Sequence, residues 1–161
     1  MTWLRKRKLS STEAARRLRE QALAALQPSG GEWSDKPAVS ALFEIGFAEG
    51  AATLACFADG TTSLYLTSGG GVIGAGEHES VRHAADRFLE VAARLAAQLT
   101  LDEATPLPGP GEVRFYVTGA GGVLTAAAPE AVLAAGGHPL SPLFAAGQAV
   151  ITAIRESMPP Q

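Results

Sequence analysis

Three strand-patterned runs crowd between Val39 and Thr67, joined by connections too short for the chain to cross over a sheet. In Val39 to Phe47 the apolar residues Val39, Ala41, Phe43, Ile45 and Phe47 alternate, which predicts a half-buried strand. Ala51 to Ala58 reads as a second strand, apolar on both faces, and Thr61 to Thr67 as a third with Leu64, Tyr65 and Leu66. Asp59-Gly60 separates the last two and predicts a type I′ turn, which needs φ > 0 at both positions. Parallel neighbours need a crossover of a dozen residues or more, so these strands must pair antiparallel.

The clearest helix follows, over Glu77 to Leu99. Val81, Ala84, Ala85, Phe88, Val91, Ala92, Leu95 and Leu99 form one stripe, with Arg82, Asp86, Glu90 and Arg94 opposite. Pro106, Pro108 and Pro110 mark 100–111 as a loop. Strands are expected over Glu112 to Thr118 and Val123 to Ala127, and one helical turn within Pro129 to Gly137. A last helix should begin at a Ser141 cap with Pro142 at its first position and run to Ser157. Upstream, Ser10 to Glu13 has the capping-box pattern of a helix from Ser11 to Gln27, apolar at Ala14, Ala15, Leu18, Ala22, Ala25 and Leu26. The expected fold is α+β: a single domain, a five-stranded, mostly antiparallel sheet with helices packed on it, in the order α-β-β-β-α-β-β-α. Residues 1–38 form a basic N-terminal arm, helix and linker, with Trp33 as an anchor; residues 39–158 form the globular domain. In element order alone this layout resembles small profilin-like or roadblock-like sheets. That resemblance implies a binding platform.

Charge is distributed unevenly. The first twenty residues hold seven basic and two acidic side chains, a net of +5; with −3 for the whole chain, the remainder carries −8. An acidic body argues against a nucleic-acid partner. Trp3 and Leu4, followed by Arg5, Lys6, Arg7 and Lys8, give the arm a means of weak contact with an anionic membrane surface, each basic residue being worth ~1 kcal/mol there. No apolar core follows this arm, so it does not read as a secretory signal. The lone cysteine, Cys56, sits in an apolar run and fits a reducing, cytoplasmic setting.

Candidate chemistry gathers in Ser68 to Glu79, SGGGVIGAGEHE, and just beyond it. Gly69, Gly71 and Gly74 match the spacing of the dinucleotide fingerprint. Yet the preceding strand ends a meander, and Glu77 and Glu79 oppose a phosphate at the helix start. Gly69, Gly70, Gly71, Gly74 and Gly76, with His78, Glu79, Ser80 and His83, remain the best ligand-binding candidates, joined by His138 from the HPLSP segment. His78 and His83 are five apart, roughly 140° around a helix, so they cannot share a metal there. Glu79 and His83 share a face, and with His138 a Glu/His/His convergence is conceivable, but spacing assigns no metal. Ser80, His83 and Glu79 contain hydrolase residue types without a G-x-S-x-G elbow. No catalytic set is complete and no cofactor is indicated. The first expectation is therefore a non-enzymatic cytoplasmic interaction module, with a protein partner or a second copy of itself. A ligand site at the glycine segment and membrane association through residues 1–9 are the alternatives.

Overall fold

A computed structural model describes residues 12–28 and 39–158. The arm with Trp3 to Lys8, the cap at Ser10 and the Trp33 anchor lie outside the described residues. Seven strands form one sheet: β1 (Ala41–Phe47), β2 (Gly50–Cys56), β3 (Thr62–Leu66), β4 (Gly71–Val72), β5 (Thr100–Leu101), β6 (Glu112–Gly119) and β7 (Gly122–Pro129). Their order is β4-β3-β2-β1-β6-β7-β5, and every pair is antiparallel. The helices are α1 (Thr12–Ala25), α2 (Glu79–Arg94), α3 (Glu130–Ala135) and α4 (Ser141–Ser157).

The sheet thus has seven strands where five were expected. The extra two are the edge strands β4 and β5, each two residues long. Two residues carry no alternation to read, and edge strands this short resist edge-to-edge pairing. The long helix starts at Glu79 rather than Glu77 because Ala75–Glu77 winds as a separate 3₁₀ turn, and Ala96–Gln98 forms another beyond its end. The Asp59-Gly60 turn is not type I′. Only Gly60 has positive φ, at 95°, and the Gly60 amide donates to Phe57 O, with Phe57 N donating to Thr61 O. A turn over Ala58-Asp59 followed by a left-handed glycine puts the bulge at Gly60 and relieves Asp59 of strain.

On the sheet's inner face Ala41, Phe43, Leu54, Cys56, Val113, Phe115 and Val117 pack against Val81, Ala85 and Phe88 of α2 and Leu143, Phe144, Val150 and Ile154 of α4. Phe43 stacks on Phe115 with centroids 5.2 Å apart and meets Phe144 edge-on at 5.7 Å. A Cβ on Gly147 would strike the Phe43 ring, so α4 lies hard against the sheet there. At the start of α4 the helix begins at Ser141 itself, with Leu140 as the cap residue. The Ser141 hydroxyl donates to Leu133 O at 2.9 Å and accepts from the His138 amide at 3.2 Å, tying the end of α3 to α4.

The alternation in β1 predicted one buried face, but both are buried: Leu42 and Glu44 have no exposure, like Ala41 on the inner side. The reason is α1. It lies on the outer face, where Ala22 and Leu26 join Leu42, Ala55, Tyr116 and Val123 in a second, smaller core. The proline-bearing loop 102–111 also packs on this face, passing so close that a Cβ on Gly46 would overlap the backbone of Pro108 and Gly109. Gly111 N then donates to Gly46 O at 3.0 Å.

Candidate functional site

The outer face of the sheet holds the unusual chemistry. Residues opposite one another in an antiparallel ladder share a face. Arg114 of β6, Glu44 of β1, Thr53 of β2 and Tyr65 of β3 therefore form one row across four strands. Tyr116 and Thr125 pair in the next row. Alternation places these polar side chains outward because Phe43, Leu54 and Phe115 take the inner positions.

Glu44 is the centre of this row and is fully buried on a central strand. A carboxylate there must be paired. Arg19 of α1 meets it in a two-pronged ion pair, Nε to Oε2 at 2.8 Å and Nη2 to Oε1 at 2.9 Å. Thr53 Oγ1 donates to Oε2 at 2.5 Å. The same Arg19 Nη2 donates to Thr105 O at 2.9 Å and Pro106 O at 3.3 Å. Tyr116 OH donates to Pro106 O at 2.5 Å, and the guanidinium carbon sits 5.8 Å from the Tyr116 ring centroid, within cation–π range. One guanidinium thus joins α1, the central strand and the loop 102–111.

The electrostatics follow from this burial. Desolvation pulls the Arg19 pKa down, but its hydrogen bonds and charge pairing with Glu44 outweigh that, and the net shift is upward. Burial raises the phenols of Tyr65 and Tyr116, and the Glu44 charge pushes both the same way while Arg19 opposes. Among the described residues, three buried side-chain atoms lack a hydrogen-bond partner: Tyr65 OH, Arg114 Nε and Thr125 Oγ1. All three belong to outer-face residues, Arg114 Nε having only the Glu112 carboxylate at 3.5 Å. Cavities flank α1 on both sides. One of about 760 Å³ is lined by Arg16, Arg19, Thr53, Tyr65, Thr67 and Leu107. Another of about 780 Å³ is lined by Leu23, Gln27, Leu101, Gly121 and Val123.

The residues singled out in the sequence lie elsewhere. Gly69 and Gly70, with φ of 102° and 90°, make the tight hairpin from β3 to β4, closed by Gly69 N to Leu66 O and Leu66 N to Gly70 O, both 3.0 Å. Gly71 pairs with Tyr65 in the ladder, Gly74 enters the 3₁₀ turn, and a Cβ on Gly76 would collide with Gly60 O. These glycines meet turn and close-packing requirements, and the segment joins an antiparallel meander to α2 rather than forming a βαβ unit. His78 is the residue before α2. Glu79, Ser80 and His83 are exposed on α2, with His83 Nε2 3.9 Å from Glu79 Oε1. His138 Nδ1 accepts the Leu140 amide at 3.0 Å, closing the turn into α4. Among the described residues no three His, Cys, Asp or Glu side chains are placed to hold a metal, so Glu79, His83 and His138 do not converge. Cys56 is buried in the inner core, and its thiol is pushed up to about 12 by burial, with Thr62 opposing. No described helix is long and apolar enough to cross a membrane.

Arg19 and Glu44 escaped the sequence reading, though both left a trace. Arg19 occupies the stripe of Ala15, Ala22 and Leu26, and Glu44 is the one charge inside the first strand. Neither trace names the other residue. Compared with known proteins, the chain matches no family model, no curated protein and no solved structure.

Proposed function

We propose that this protein is a non-enzymatic interaction module that works through the outer face of its sheet, where it receives a helix carrying an arginine. The observation that supports this reading is the fully buried Glu44 on the central strand, matched by a guanidinium from α1. A buried ion pair contributes little to stability against an apolar pair of similar volume. Its use lies in selection: a helix without the guanidinium leaves a carboxylate buried and unpaired. The small buried residues of α1, Ala15 and Ala22, let a helix lie close to the sheet. The buried Tyr65 and Thr125 hydroxyls on the same face lack hydrogen-bond partners.

The test uses a labelled peptide spanning residues 10–28. It is titrated by fluorescence anisotropy into full-length Arg19→Ala protein, whose own α1 is weakened. Saturable binding is expected. Substituting Arg19→Ala in the peptide, or Glu44→Gln in the protein, should weaken it at least tenfold, which is ~1.4 kcal/mol or more. Absence of binding to the folded protein overturns the reading.

A further inference from the structure

Resting on the outer face as a helix-docking surface, we propose that two copies of this chain exchange α1, so that Arg19 of one copy pairs with Glu44 of the other. The chemistry of the groove identifies this occupant. It needs small residues at Ala15 and Ala22, a larger apolar one at Leu26 against Leu42 and Tyr116, and a guanidinium in line with them. Arg19 completes that line, because positions 15, 19, 22 and 26 fall on one helical stripe. Every copy of the chain carries both the groove and the helix that fits it.

The covalent route is also present. Ten residues, 29–38, separate Pro28 from Val39 in the sequence, and a chain of that length spans up to about 35 Å. Closed and exchanged forms bury the same contacts and make the same ion pair. Their balance therefore depends on the concentration of chains against the effective concentration of the tethered helix, about millimolar for short tethers. Exchange joins two sheets through their outer faces, and each copy supplies one residue of the other's buried pair.

Two full-length charge-reversed variants turn this balance into a preference. Arg19→Glu places two carboxylates together when α1 folds on its own sheet. Glu44→Arg places two guanidiniums together. In a mixture, each sheet finds an opposite charge only on the helix of the other variant. Size exclusion with light scattering, run well below millimolar, should show monomers of each variant alone and a dimer of twice the mass on mixing. A mixture of folded variants that stays monomeric overturns the exchange. If either variant fails to fold, wild-type chain decides instead: half is carbon-13 labelled, and the mixture is refolded at about millimolar concentration, near the tether's own. An isotope-filtered contact between the Leu26 methyls of one chain and the Leu42 methyls of another supports the exchange, and its absence overturns it. Should the peptide of residues 10–28 bind while the charge-reversed pair stays monomeric, the outer face still docks helices and only the exchange fails.

Discussion

On the inner face of the sheet Phe43 is buried against Phe88, Phe115 and Phe144; one residue further along the same strand, on the outer face, Glu44 is buried against Arg19. The inner contact is non-directional and scales with apolar area removed from water. The outer one depends on two oxygens meeting two nitrogens at 2.8 and 2.9 Å. The inner face draws on two long helices, whereas the outer face is covered by one 14-residue helix and a loop. The difference teaches a division of labour: apolar packing alone fills the inner face, whereas the outer face adds a buried, directional ion pair between α1 and the central strand.

The largest effect expected is Phe43→Ala. Removing this ring should cost ~3–5 kcal/mol, read as a lower denaturant midpoint with every strand lost together. Loss confined to α4 would break the comparison. Arg19→Ala should cost less than the ~3–5 kcal/mol of a severed buried pair, because α1 can lift and let water reach Glu44. Native-state hydrogen exchange should show α1 amides unprotected while β1, β2 and β6 stay protected. If those strands lose protection as well, the two faces are not separable. Pairing Arg19→Met with Glu44→Leu should restore the stability and abolish selection for a charged helix, as apolar replacements of buried pairs do.

Alkaline pH offers a gentler probe. Burial raises the Cys56 thiol from 9.0 to about 12, so between these values the unfolded chain loses a proton that the folded chain keeps. Stability is complete below pH 9 and falls as pH rises, by at most about 1.4 kcal/mol per unit from this group. Cys56→Ala should flatten the fall between pH 9 and 10. Above pH 10 the raised Tyr65 and Tyr116 on the outer face continue it. Equal slopes in both variants would remove the inner thiol from the account. The smallest effect belongs to His83→Ala: its pair with Glu79 is exposed on both sides, and the unfolding free energy from denaturant titration should change by less than ~0.5 kcal/mol.

The sequence by itself determined the antiparallel meander of β1 to β3, the long amphipathic α2 and the α+β class. These rest on periodicities of 2 and 3.6 and on turns too short for crossovers, all written within a dozen residues. It also marked the region of tight loops, but glycine at Gly71 or Gly76 looks the same whether backbone or ligand approaches it. Only the tertiary structure decided that both faces of β1 are buried, that β4 and β5 exist, and that Glu44 is paired with Arg19 under α1. Arg19 stands 25 residues from Glu44, and the carbonyls of Thr105 and Pro106 lie 86 and 87 residues from Arg19. A contact between residues so far apart leaves no local pattern in either, because it is made by the packing of whole elements and not by the preferences of neighbouring residues.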